Sequence, residues 1–317
     1  MSRRWPLLLA LLPLLLGLAV YGQLWRGWAA DYETTLARWF PGSQPLVTGF
    51  PYRLEAELSE VVLAHDGAVR LGFTAEHLRL NRGPWRPELT VMQGQGVALS
   101  AAVGALSARA AAAAGTASLK LDQDRLLRLS IILPAARGNF GIGPDFAAES
   151  LELHAREIVG PEGQRTDPRR PAQGQLVIAA TGLTLGQGAA ISVDADMQAR
   201  GDTRLTDYRR WADGGGSSDL TLAGRDATGE VFRLDATIVP LGPGFQLSGT
   251  ITSVCPLSVQ SAIAGTPPPA EQRLRSPVRM AVQTALPVTG LVALSGLPAD
   301  LATRPRRGQL PACPRLN

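Results

Sequence analysis

The chain has 317 residues, a formal charge of +4 at pH 7 and 45% hydrophobic but only 5% aromatic residues. That length supplies a real core for one large or two modest domains without metals or staples. Lys120 is the only lysine, and beyond Arg3-Arg4 the arginines are scattered singly along the expected strands except at Arg169-Arg170, Arg209-Arg210 and Arg304 to Arg307. No stripe that tracks phosphates results, which argues against nucleic acid as a partner.

Arg3 and Arg4 precede a run from Trp5 to Val20 that holds no charged residue. Counted to Leu24 it reaches about twenty residues, the length a helix needs to cross a bilayer core of ~30 Å. Pro6 falls in the first turn, whereas Pro13 lies mid-run and predicts a kink. Charge ahead of the run predicts a cytoplasmic N-terminus, a single pass through the inner membrane and the bulk of the chain in the periplasm. A cleaved signal peptide is the competing reading, although Val20 and Gly22 match the small-x-small pattern poorly. Further on, Leu24, Trp28, Tyr32, Leu36 and Trp39 or Phe40 recur every three or four residues, a helical stripe that either meets the membrane interface or packs on the domain. Trp25 and Trp28 sit where an aromatic belt would be. Pro41-Gly42 stops the helix. Residues 1–42 thus read as a transmembrane anchor with a juxtamembrane helix, and 43–317 as a periplasmic β-rich domain.

After Pro45 the period changes to two. Leu54, Ala56 and Leu58 alternate with Glu55 and Glu57, and Leu71 to Ala75, Leu78 to Leu80 and Leu89 to Met92 follow, the last closed by Gly94. His65-Asp66-Gly67 reads as a hairpin turn, and Asn81-Arg82-Gly83-Pro84 ends the next strand. Ala101 to Ala117 is nearly all small residues and fits either a short helix or weak strands. Strand patterning returns at Leu119 to Leu121, Leu127 to Leu133 and Leu151 to Ala155. Gly160 to Gln175, rich in Pro, Gly and Arg, is a loop or a boundary between two similar halves; the Gln-Gly-Gln triplets at 93–95 and 173–175 agree with a diverged duplication.

Further strands are expected at 176–179, 183–185, 191–197, 220–223, 231–238, 245–251, 278–282 and 291–294. Short helices are expected over Leu205 to Trp211 and Leu257 to Ile263, stopped by Gly214 to Gly216 and by Gly265. The fold class is mainly β: a long curved antiparallel sheet with an N-terminal helix and a few short ones. Cys255 and Cys313, an even count facing an oxidising space, predict a disulfide worth about 3–4 kcal/mol by loop closure. Two unpaired thiols are the alternative.

The apolar span, the amphipathic helix and then Gly49-Phe50-Pro51-Tyr52-Arg53-Leu54 leading into alternating strands resemble the DUF2125 family, envelope proteins of unknown function from alphaproteobacteria. The Gly-Phe-Pro-x-Arg signature carries the resemblance, which is specific over roughly residues 1 to 90. It implies compartment and architecture, and names no catalytic residue. Independently of it, Gly49 permits an unusual turn, Pro51 biases Phe50 toward an extended conformation, and Phe50 is expected to plug the junction of helix and sheet. Arg53 is expected to pair with Glu55 or Glu57, or with a lipid phosphate. The element reads as a structural hinge.

Catalytic and metal chemistry finds little support. His65, His77 and His154 have no second His or Cys at ligand spacing. Ser217-Ser218 lies outside any nucleophile elbow, and Phe140-Gly141-Ile142-Gly143 lacks the context of a phosphate loop. Asp122 with Asp124, and Asp194 with Asp196, read as solvated strand faces before calcium ligands. No catalytic, cofactor or metal residue is assigned. The expectation is a non-enzymatic, inner-membrane-tethered protein whose one-sided sheet forms an apolar groove that binds or shelters lipid or assists envelope assembly. The rival is an envelope scaffold with a closed sheet that recruits other envelope proteins and holds no small ligand.

Overall fold

The computed structural model describes residues 5–123, 125–141, 144–158, 171–242, 244–286, 292, 294–298 and 310–317, with side chains from Leu11 onward. Helix α1 runs from Trp5 to Trp39 and continues through Pro13. Past its end, Gly42 takes φ +90, a backbone state that glycine reaches without strain. The buried seam of α1 is Trp25, Ala29, Tyr32 and Leu36, continued by Phe40 just past its end. This corrects the expected stripe at its start. Leu24 is exposed and Trp25 turns inward, because Trp25 can both bury its ring and donate Nε1–H to the Arg53 carbonyl at 3.2 Å. The following segment runs back along the helix, held where the Val47 amide donates to Glu33 Oε1 at 2.9 Å.

Five long strands follow: β1 (Leu54–His65), β2 (Val69–Arg82), β3 (Leu89–Val103), β4 (Leu106–Asp122) and β5 (Arg125–Pro134). Two short ones, β6 (Arg137–Asn139) and β7 (Phe146–Ala147), come next, then β8 (Ser150–Glu157), β9 (Ala172–Leu185) and β10 (Ile191–Arg200). After helix α2 (Tyr208–Asp213) come β11 (Ser217–Asp226), β12 (Gly229–Leu241) and β13 (Gly244–Ser253), then helix α3 (Pro256–Ala264), β14 (Val278–Leu286) and β15 (Leu294–Ser295). All fifteen belong to one antiparallel sheet.

The small-residue stretch is strand: it makes the end of β3, the turn at Gly104 and most of β4. Pairing of β3 with β2 and β4, and of β4 with β6 and β5, engages its backbone, and this outweighs the helical propensity of alanine. Nor does β3 close at Gly94. The strand passes through it, because Val97 Cγ2 fills the space a Cβ would need, at 2.6 Å. The two runs at 176–179 and 183–185 are one strand, β9, with Gly182 at φ +59 between them. Most of the stretch proposed as a boundary, residues 160–170, lies outside the described residues; β8 and β9, on either side of it, are hydrogen-bonded neighbours.

Where the short strands join, the sheet closes on itself. β4 pairs β5, β5 pairs β8, β8 pairs β9, β9 pairs β7, β7 pairs β6 and β6 returns to β4, a ring of six strands. Its interior is filled by Ala112, Leu133, Ala136, Phe146, Ala148, Leu151 and Ala180, all buried. These join the seam of α1 and the first strands in one cluster. A second cluster, Ile191, Ala236, Leu247, Ile251, Val259, Met280, Val282 and Leu316, sits under α3 and the C-terminal residues.

Candidate functional site

The register of the sheet lines up one row of side chains across twelve strands: Ala56, Leu80, Met92, Ala117, Ile131, Leu153, Ile178, Ala195, Leu222, Leu234, Ile251 and Met280. Every member is apolar. Directly paired residues point to the same side of a sheet, so this row is a continuous apolar track; at ~4.8 Å per strand it is about 50 Å long. A parallel row through Leu119, Leu129, Ala155, Leu176, Met197, Leu220 and Ala236 widens it. The opposite face carries Glu57, Arg79, Gln93, Thr116, Glu152, Asp194, Arg233, Thr252 and Arg279 in register, interrupted by Ile132, Ala179 and Ala223, a mostly polar side.

Cover is unequal along the track. A helix about 10 Å wide shields roughly two strand spacings, and α1 accordingly buries Ala56 and Leu80 but only the start of the row. At the far end Ile251 and Met280 are buried beneath α3 and the tail. The ring closes one margin, burying Leu133, Leu151 and Ala180. Between these covers, Ile131, Leu153, Ile178, Ala195, Leu222 and Leu234 remain half-buried. The middle of the row is thus a half-covered apolar stretch between covered ends, called the trough below.

Where α1 leaves the domain, aromatic rings crowd together. Tyr21 lies 5.8 Å from Trp85, 6.0 Å from Phe50 and 6.2 Å from Trp28, and Trp25 meets Phe50 edge-on at 5.5 Å. Tyr21 donates its hydroxyl proton to the Pro51 carbonyl. The alternative left open for the stripe is therefore decided for Trp25, which packs on the domain. Phe50 is 47% exposed, so it borders the junction and does not plug it; Trp25 and Leu54 fill that place because the longer ring reaches the sheet from the helix.

Gly49 of the same element has φ +98, and a Cβ there would approach the Arg53 carbonyl oxygen to 2.9 Å; Pro51 follows a cis bond. Arg53 pairs with Glu55 at 3.3 Å, and Arg79 reaches the same carboxylate at 2.9 Å. The Arg79 hydrogen bond, aided by Arg53, holds the Glu55 carboxyl below the usual range against the opposing effect of burial. Deeper along α1, Arg82 donates to Thr90 Oγ1 and lies 4.2 Å above the Tyr32 ring. Burial pushes the Tyr32 hydroxyl up to about 12, partly offset by the Arg82 charge.

The remaining candidates are dispersed. His77 contacts Ser59 at 3.3 Å, His154 contacts Glu152 at 3.3 Å, Asp194 pairs with Arg225, and Asp196 accepts from Gln175. Asp124, Ile142 and Gly143 lie outside the described residues. Cys255 and Cys313 are joined as a disulfide spanning 58 positions. Glu271 is the one further ligand-type group beside them among the described residues, and its carboxylate accepts the Leu257 and Ser258 amides at the start of α3. With both sulfurs bonded to each other, this cluster has no thiolate to offer a metal.

A family model described as an uncharacterized protein conserved in bacteria, DUF2125, matches residues 26–252. The chain belongs to this family. No curated protein and no solved structure matches it. The stretch shared with DUF2125 takes in the seam of α1 from Ala29 onward, the Gly49 to Arg53 element, the ring and eleven rungs of the apolar row, from Ala56 to Ile251. Two parts of the DUF2125 architecture escaped sequence reasoning. The strands β6 and β7 hold only three and two residues, too few for an alternation to register. Trp85 was overlooked, although an aromatic between Pro84 and Pro87 is a visible sign of a stiff loop presenting a ring.

Proposed function

We propose that this DUF2125 protein is a non-enzymatic, inner-membrane-tethered periplasmic protein whose trough takes up acyl chains, sheltering lipid or assisting envelope assembly. The supporting observation is the apolar row itself: twelve strands place an apolar residue at the same height, and its middle is left half-covered. An apolar strip of that length is costly to leave in water, and hydrocarbon chains are the abundant apolar ligand beside a membrane. Among the described residues no helix is long and apolar enough to cross a membrane. Tethering is supported by the first part of α1, where Leu11 to Val20 project from the domain with their leucines and valine 49–67% exposed, and by Arg3-Arg4 ahead of it in the sequence.

The test is photo-crosslinking in cells, with a photoreactive amino acid at Leu222 in the trough or at Asp235 on the opposite face. Lipid adducts at 222 and none at 235 are expected. Protein adducts alone at 222 would favour the scaffold reading and overturn this one.

A further inference from the structure

We infer that the aromatic collar formed by Tyr21, Trp28, Phe50, Tyr52 and Trp85 is a second membrane contact, which seats the β domain directly on the phospholipid headgroup layer. This rests on the tethering proposed above and adds to it a fixed orientation.

The collar is assembled from three separate segments. α1 supplies Tyr21 and Trp28, the turn before β1 supplies Phe50 and Tyr52, and the loop between β2 and β3 supplies Trp85. Trp85 packs against both Tyr21 and Trp28, at 5.8 and 5.9 Å, yet stays 62% exposed, and Tyr52 is 75% exposed. Rings merely completing a core would be turned inward, since each has about 150–250 Å² of surface to bury. Tyr21, Trp28, Phe50 and Trp85 are held in place by one another, and Phe50, Tyr52 and Trp85 face outward.

Position then names the occupant. The collar begins on α1 immediately after Val20, the last residue of the exposed apolar stretch. An apolar helix followed at once by Trp and Tyr is the order met on passing from acyl chains to headgroups, where amphipathic rings are favoured. Arg26, Arg53 and Arg86 stand exposed on the same three segments. Arg53 shares Glu55 with Arg79, while cationic side chains at this height complement lipid phosphates. The ligand is thus the headgroup region of the bilayer that receives α1.

The test uses the full chain in vesicles of phosphatidylethanolamine and phosphatidylglycerol, with or without acyl chains brominated near the headgroup. Subtracting the emission of Trp85→Phe from that of the parent isolates Trp85, and Trp211→Phe isolates the buried Trp211 of α2 as a control. The expected result is flotation of the chain with the vesicles and loss of half or more of the Trp85 signal to bromine, with the Trp211 signal unchanged. Flotation with an unquenched Trp85 overturns the collar and leaves the tether standing. Equal quenching of Trp211 also overturns it, since the contact would then not be local, and failure to float overturns both.

Discussion

Leu153 on β8 stands directly opposite Ile178 on β9, both half-buried, while the pair two residues away, Leu151 and Ala180, is fully covered by the ring. The wall of the trough therefore passes between two adjacent rungs of the same two strands. The consequence is a separation of effects. Leu153→Gln with Ile178→Gln should abolish lipid adducts at position 222 while shifting the thermal midpoint little, because both side chains already touch solvent. Leu151→Ala should cost about 2–5 kcal/mol through the cavity it leaves, measured by denaturant unfolding. Equal destabilisation by both would mean that the trough floor is ordinary core.

Gly138 on β6 lies against β4 so closely that a Cβ would sit on the Arg109 carbonyl oxygen. That atom belongs to the backbone and has no rotamer to escape into. Gly138→Ala is expected to break the pairing of residues 109–111 with 137–139 and open the ring. Amide hydrogen exchange should accelerate in those two segments by tenfold or more, while β12 and β13 keep their protection.

Tyr32 is wholly buried against Arg82, and burial raises its hydroxyl to about 12 from an ordinary 10. A raised folded value favours the protonated form in the native state. Its stabilising effect is complete below pH 10 and is lost as pH climbs toward 12, by about 2–3 kcal/mol for two units. Tyr208, also raised by burial, acts in the same direction. Unfolding midpoints measured between pH 9 and 12 should fall in the parent and fall less in Tyr32→Phe; identical slopes would contradict this.

The disulfide between Cys255 and Cys313 holds the last residues against the second cluster, where Leu316 is buried, and the Ala189 amide, between β9 and β10, donates to the Arg315 carbonyl at 2.6 Å. Closing a loop of 58 positions is worth about 4 kcal/mol in the chain-entropy account. Reduction, or the Cys255→Ser and Cys313→Ser pair, should lower stability by that order and expose the tail to carboxypeptidase.

Much of this architecture was legible because it is written locally. Alternation in Leu54-Glu55-Ala56-Glu57-Leu58 marks a strand with one dry face whatever its neighbours do. The glycine stops were equally readable: Gly214 and Gly265 follow α2 and α3 as expected. The alanine run from Ala101 to Ala117 resisted reading, since methyl groups hardly distinguish the two periods and only the pairing of β3 with β4, flanked by β2 and β6, decides for strand. Leu24 and Trp25, adjacent and both apolar, offered no local ground for choosing which faces inward.

The amino-acid order alone determined that this is a chain of one-sided strands behind a helix whose first part is apolar, because the period of hydrophobicity is a property of neighbours in sequence. The tertiary structure alone decided that those dry faces stand at one height across twelve strands. It also decided that β6 and β7 close a ring and that the middle of the row stays half-covered. Register, closure and cover depend on which residues hydrogen-bond across strands, a relation between distant positions that no stretch of sequence contains by itself.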